Sequence, residues 1–441
     1  ALTGESGKFS IRGGYGHYHG RVFQSIFSQS GVSVRFNPPN AASRTVTNVT
    51  NISDPSDGFV FVPGTIAPRA TFTLIDPDLQ MPETRQWNLT FERQVFDAAK
   101  LRVSYIGTLG KNLLQYRIDN KPVVPAAPGT VGAAWVVAQD WRCAGTGLAG
   151  AAINATCPVA VPIAANEVSL RFPRNNERRP DARYGQNISI ANLAESNYHA
   201  GQLEFETGLW HGLSGRTTYT FSKAIDTGSE ATLTGTGDLN IFPDDDEYKR
   251  GLSRFDTRHR FTLSSSYLMP FFQDRKDWMG SLLGGWQLST LMRFSSGTPF
   301  TIVDTAAPDI DFDGVVNQRP ICIRSGHCGG YFVNHPSNSQ AELPANAFRR
   351  AVYGDTTADF IGRNTFTTDG LETVDLGLYK SFRLPIGSDA VMLRLDVFNV
   401  FNHVTWSWPT NDFASANFGR ITAVSDSYSP RTFQLGLRYI Y

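Results

Sequence analysis

Three aspartates in the segment PDIDFDGVVNQRP, Asp309, Asp311 and Asp313, stand two residues apart and are followed by Gly314. In a tight loop this spacing aims three carboxylates at one hard cation while the glycine permits the sharp turn, which points to Ca²⁺. The closing glutamate of a full EF-hand loop is absent, because its position is taken by Pro320. A solvated acidic turn is therefore the competing reading. A second acidic run, Asp244, Asp245, Asp246 and Glu247, lacks such spacing and reads as a solvated loop. His17 and His19 share a face if their segment is extended, and two imidazoles suit a transition metal. No third ligand is identifiable from the sequence, so interfacial or lumenal histidines are the plainer reading.

The four cysteines fall as two close pairs, Cys143 with Cys157 and Cys322 with Cys328, in stretches rich in Gly, Ala, Asn or Ser. That pattern reads as two local disulfides in an oxidising compartment, which in a bacterium lies beyond the inner membrane. Four unpaired thiols are the alternative. The hexapeptide GTGLAG, Gly145 to Gly150, matches a dinucleotide fingerprint, yet no buried strand precedes it and no helix follows. A flexible loop accounts for it better. Glu204 and Glu206 face one side of a strand, and solvation explains them without glycosidase chemistry. The sequence holds no HExxH, GxSxG or CxxC. An enzyme is therefore not expected, nor any cofactor apart from Ca²⁺ in a loop.

These side chains must be carried by something, and the sequence indicates strands. Glycine (40) and aromatics (12%) are plentiful and Met (5) is scarce, as suits strands and turns. No apolar run approaches the roughly 20 residues of a membrane helix, so membrane insertion requires a barrel. Lys plus Arg and Asp plus Glu balance at 40 each, which removes the overall attraction to nucleic acid. Apolar residues recur with a period of two. At the C-terminus Phe433, Leu435, Leu437, Tyr439 and Tyr441 share one face, and Gln434, Gly436 and Arg438 the other. The same alternation marks segments around 9–12, 86–92, 202–206, 260–267, 286–294, 374–379 and 391–397. With its flanking residues each marks a strand of about 9 to 12 residues, enough for a tilted strand to cross the hydrocarbon layer.

Short connections are expected near 95–99, 209–213, 270–282 and 384–389, and long ones near 19–83, 110–196, 226–256, 297–371 and 403–429. Outer-membrane barrels have short periplasmic turns and long extracellular loops, so both cysteine pairs are expected outside the cell. About ten membrane strands follow, with Trp87, Trp286, Tyr219, Tyr267, Tyr439 and Tyr441 forming an interfacial girdle towards strand ends. The expected fold is all-β, an antiparallel transmembrane β-barrel with long extracellular loops.

Several stretches, taken in order, resemble the TonB-dependent, Oar-like outer-membrane receptors: ETRQWNLTFERQVF (83–96), LRVSYIGTLGKNL (101–113), SNYHAGQLEFETGLWHGLSGRTTYTFSKAID (196–226), RGLSRFDTRHRFTLSSSYLMPF (250–271), GGWQLSTLMRFSSGTPFTI (284–302), LRLDVFNVFNHVTW (393–406) and NFGRITAV (417–424). The resemblance implies a barrel of about 22 strands, of which this chain is expected to supply the C-terminal part. It further implies an N-terminal plug and TonB box, neither of which is found here, and substrate entry through the extracellular loops. The partners implied are outer-membrane lipid, the barrel-assembly machinery acting on the C-terminal strand, the TonB complex through a region not in this sequence, and an extracellular ligand of unknown chemistry. A passive outer-membrane pore or adhesin shares every strand feature and is the alternative; a secreted all-β binding protein or carbohydrate enzyme is a third reading.

Overall fold

The computed structural model describes residues 2–3, 8–22, 72–120, 179–181, 183–184, 187–229, 246–273, 275, 277–307, 319–330, 343–351, 355, 357–384 and 389–441. Among them are ten strands of nine residues or more: β1 (Phe9–His19), β2 (Glu83–Phe96), β3 (Ala99–Asp119), β4 (Asn187–Trp210), β5 (Leu213–Asp226), β6 (His259–Leu268), β7 (Gln287–Ser295), β8 (Leu371–Arg383), β9 (Ala390–Phe398) and β10 (Thr432–Ile440). They pair antiparallel in chain order, β1 to β10, within one sheet. Shorter strands join it at Leu2–Thr3 beside β1, Thr73–Ile75 beside β4 and Gly251–Leu252 beside β5. Two short helices, α1 (Asp246–Lys249) and α2 (Trp278–Leu283), lie in connections.

Register assigns each side chain to a face, because a strand alternates with period two. Phe433, Leu435 and Leu437 of β10 stand opposite Val397, Leu395 and Leu393 of β9. Val397 and Leu395 in turn oppose Leu376 and Leu378 of β8. The same row continues through Thr290, Leu288 and Met292 of β7, Leu263 and Phe261 of β6, Thr217 and Tyr219 of β5, and Phe205 and Leu203 of β4. It reaches Leu101 and Val103 of β3, then Phe91 and Leu89 of β2 and Ile11 of β1. The other face carries Gln434, Asp396, Gly377, Ser289, Ser266, Thr218, Glu204, Arg102 and Glu92. One face of the sheet is thus oily and the other wet.

Among the described residues nothing covers the oily face. Leu435 and Leu437 are 70% and 73% exposed, and Leu203, Phe91 and Leu89 are exposed as well. Apolar surface of this extent is stable only where it meets lipid, and backbone groups in lipid must pair within the sheet. Leu435→Arg or Leu437→Arg, in mid-strand on this face, is expected to cost about 2–4 kcal/mol of barrel stability, while Gln434→Arg on the wet face is nearly neutral. Denaturant titration of protein folded into lipid vesicles reads the difference.

The strands divide into the two ends of the membrane. Connections at 97–98, 211–212, 269–286 and 384–389 are short, and those at 20–82, 120–186, 227–258, 296–370 and 399–431 are long. The short set lies at one end, which is periplasmic, and the long set at the other. Aromatic residues gather near both. At the periplasmic end Phe96 stacks on Trp210 at 6.3 Å and Tyr439 on Tyr441 at 6.3 Å. Towards the other end the Trp87 indole lies over its register partner Gly107, where any Cβ would meet the ring at 2.3 Å. Tyr219 departs from the expected place at a strand end: it sits in mid-strand, and its hydroxyl is 2.8 Å from His259 Nδ1.

Two strands are longer than their alternation suggests. β3 and β4 run for 21 and 24 residues. At about 3.3 Å per residue, 24 residues far exceed a hydrocarbon layer of about 30 Å even when tilted. Their outer halves therefore project beyond the bilayer. The expected loop from 110 to 196 is strand as far as Asp119 and again from Asn187. Register shifts at Gly110, Leu113 and Leu114 interrupt the period of two there. Beyond the shifts Leu114, Tyr116 and Ile190 are buried against Val22, Ile75, Leu79 and Ile188. A soluble-type core replaces lipid, so the binary pattern changes.

Candidate functional site

The extracellular ends of β5 to β10 carry a folded cap. It begins where Pro299–Phe300 pairs with Phe366–Thr367, and Ile321–Cys322 with Phe348–Arg349. These pairings fold the connection between β7 and β8 back on itself. The connection between β9 and β10 joins it: the Val303 amide donates to the Asn411 carbonyl at 3.0 Å, and the Phe413 amide to the Val303 carbonyl at 2.7 Å. The apolar residues of both segments then bury one another. Phe300, Ile302, Leu343 and Phe366 are fully enclosed, with Ala347, Phe348, Ile361 and Phe418 around them and Trp408, Phe413 and Ile421 at the margin. The Phe300 ring is 5.9 Å from both Phe366 and Trp408. Cys322 and Cys328 are joined by a disulfide whose Cα atoms are 5.5 Å apart, closing a small loop beside this core.

Three arginines bind the cap to a third connection, that between β5 and β6. Arg363 is buried and donates to the carbonyls of Lys249 (2.7 Å) and Asp226 (2.6 Å), to Ser229 Oγ (3.2 Å) and to the Asp226 carboxylate. Arg319 is also buried, donates to the carbonyls of Ile361 (3.0 Å) and Tyr248, and lies 3.5 Å above the Tyr248 ring. Arg254 covers Trp408 at 4.8 Å. Burying a charge is tolerable only with such saturation by acceptors. The segment Gly251 to His259 is tied to the end of β5 by Asp256, whose carboxylate accepts from the Ala224 amide at 2.6 Å.

One carboxylate ties the β7–β8 connection to itself and another ties it to the β9–β10 connection. Asp304 has no solvent exposure and receives Arg350 Nε at 2.7 Å and Nη2 at 3.1 Å. Asp412 accepts the Thr305 hydroxyl at 2.6 Å and the amides of Thr305 and Ala414 at 3.1 and 3.0 Å. Burial pushes the Asp412 carboxyl up, but those donors together hold it below the usual carboxylate range. Asp369 shows the opposite balance: burial pushes it up, and the amides of Trp406 and Gly370 only partly offset this.

Below the cap, the wet face of the sheet carries alternating charge toward the periplasmic ends of β1 to β5. Arg102 donates to Glu92 Oε2 (2.9 Å) on one side and to Glu204 Oε1 (2.6 Å) on the other. Arg216 approaches Glu204 at 3.6 Å and donates to Glu206 at 3.0 Å, and Arg12 lies 3.8 Å from Glu92. Glu204 and Glu206 are thus each held by arginine on a lumenal wall. Their carboxylates are committed to that ladder, which leaves them poorly placed for acid–base work.

The other sequence candidates separate. Phe433, Leu435, Leu437 and Tyr439 line the oily face of β10, with Tyr441 following it. Asp309, Asp311, Asp313, Cys143 and Cys157 lie outside the described residues, as does GTGLAG. His17 and His19 are outward-facing at the extracellular end of β1. The buried arginines of the cap, Arg319 and Arg363, were not singled out by the sequence; of the three arginines only Arg254 lies in a stretch that carried the resemblance.

An antiparallel meander with one face for lipid, one polar lumenal face and a folded extracellular cap defines a transmembrane β-barrel protein of the outer membrane. Residues 1–434 match the family described as outer membrane beta barrel domain, and the chain belongs to that family. It is integral to the outer membrane. Among solved structures, the outer membrane transporter YddB from Escherichia coli aligns with 98% of this chain at 9% identity and a TM-score of 0.46. The ferric-catecholate import receptor Fiu from K12 E. coli, in its closed form, aligns with 98% at 12% identity and a TM-score of 0.31. The chain spans 38% and 47% of those two proteins. No curated protein matches it in sequence.

Proposed function

We propose that this chain is barrel wall and extracellular cap of a receptor that captures a large solute outside the cell and passes it inward by energy-coupled, TonB-dependent transport. In this reading it catalyses no reaction. The observation that carries it is the cap. Three connections consolidated around an apolar core and buried arginines form a preorganised surface above the lumen, and preorganisation is what selective capture requires. A simple diffusion pore needs no such structure. The family resemblance of the ordered sequence stretches supports coupling through TonB.

The test uses the full-length protein. Reconstituted in a planar bilayer, a gated receptor gives no steady conductance, whereas a passive pore conducts continuously. In cells, a cysteine placed at lumenal Gln202 is expected to react with a membrane-impermeant maleimide only while the inner membrane is energised and TonB is present. Constitutive labelling with steady conductance refutes energy coupling and favours the pore.

A further inference from the structure

We infer that the extracellular rim between β1 and β2 holds a divalent transition-metal site of two imidazoles and one carboxylate, formed by His17, His19 and Glu83, for which Zn²⁺ is the probe ion. The site does not depend on the transport reading. His17 and His19 stand two apart on β1 and so project from the same face. Register places His19 directly opposite Glu83, the first residue of β2, and His17 opposite Arg85. The sequence shows only the two histidines, because Glu83 lies 64 positions from His19 and only strand pairing brings them together.

The geometry is close to that of a ligand set. His17 Nε2 is 3.3 Å from Glu83 Oε2. The imidazole centroids are 4.7 Å apart and inclined at 43°. One ligand atom from each of the three residues can be chosen so that all lie within 4.8 Å of one another. Tetrahedral Zn²⁺ with bonds of about 2.0–2.1 Å requires donors about 3.3–3.5 Å apart. One pair already meets that spacing, and side-chain rotation closes the rest. All three groups are partly or well exposed at the strand ends, so an ion has access from outside, and water completes the coordination. Two nitrogen donors with one carboxylate favour Zn²⁺, Cu²⁺ or Ni²⁺ over Ca²⁺ or Mg²⁺, which take oxygen.

Arg85 competes for the same carboxylate, its Nη2 being 3.4 Å from Glu83 Oε2. Zn²⁺ binding therefore displaces that guanidinium. This gives the site a signature that a chance surface cluster lacks: loss of Arg85 strengthens binding, and loss of any ligand weakens it.

The experiment is equilibrium dialysis of the full-length protein in detergent against Zn²⁺, with Co²⁺ absorption as a second readout of ligand field. Outer-shell partners alone are commonly worth about 10- to 100-fold in metal affinity, so His17→Ala, His19→Ala and Glu83→Gln are each expected to weaken Zn²⁺ binding by at least about 10-fold. Arg85→Ala is expected to tighten it. Folding of each variant is checked by heat-modified migration on gels. Co²⁺ is expected to give the intense visible bands of a tetrahedral or five-coordinate site in the parent and to lose them in His19→Ala. Zn²⁺ affinity that is unchanged in correctly folded His17→Ala and His19→Ala overturns the proposal, as does the absence of saturable binding in the parent.

Discussion

Arg363→Ala is expected to unfold the extracellular cap while the membrane strands stay paired. The guanidinium is 3% exposed and the Asp226 carboxylate 5%, so truncation leaves a buried carboxylate without its main partner and takes one donor from each of two carbonyls. Removing one member of such a pair costs about 3–5 kcal/mol, because the remaining charge is still desolvated. The strands below are held by their own ladders and by lipid, so the loss falls on the connections. Protease treatment of intact cells reads it: the variant is cut in the cap under conditions that leave the parent whole, and the barrel still shows heat-modified migration. If Arg363→Ala leaves the cap resistant, the pairing carries little of its stability. The double variant Arg363→Met with Asp226→Asn is expected to recover part of the loss, since it removes the orphaned charge.

Phe300→Ala and Phe366→Ala are expected to act on the same unit by a different route. Both rings are fully enclosed and sit opposite one another across a two-residue strand pair. Deleting a buried aromatic ring costs about 3–5 kcal/mol through lost transfer energy and the cavity left behind. Each substitution is therefore expected to lower the thermal midpoint of the cap, followed by tryptophan fluorescence from Trp408, which stacks on Phe300. Because the two rings touch, the double variant should cost less than the sum of the singles. Strict additivity would show that the two rings do not stabilise one another.

The membrane part of this fold was legible because hydrocarbon imposes a rule with few exceptions. A residue such as Leu435 must face lipid and its neighbour Gln434 must not, and register then carries that division from β10 to β1. The cap was not legible for the complementary reason. Phe300, Phe366 and Phe418 come from segments 66 and 52 residues apart in the chain, and their enclosure depends on pairings that no local period announces. The outer halves of β3 and β4 were hidden by register shifts that break the alternation near Gly110. Lys380 is a further case. It falls on the oily row opposite Leu393, yet it is buried, because its amine reaches the Gly284 carbonyl between the rings of Trp286 and Phe382. Aromatic neighbours and a turn carbonyl let a cation settle at the edge of lipid.

The candidate chemistry divides in the same way. The Cys322 and Cys328 pair could be read from spacing because a short loop brings its own ends together. The third member beside His17 and His19 could not, since Glu83 arrives by strand pairing. Nor could the arginine partners of Glu204 and Glu206, which come from β3 and β5.

The arginine and glutamate ladder has a mechanical corollary. Arg12, Lys100, Arg102 and Arg216 are interleaved with Glu92, Glu204 and Glu206, so opposite charges lie within a few ångströms and this stretch of the interior is close to balanced although densely ionic. A solute gliding along it meets no dominant field that would trap either sign. In the proposed transport reading, discrimination is thereby left to the mouth, and the shaft below can stay slippery.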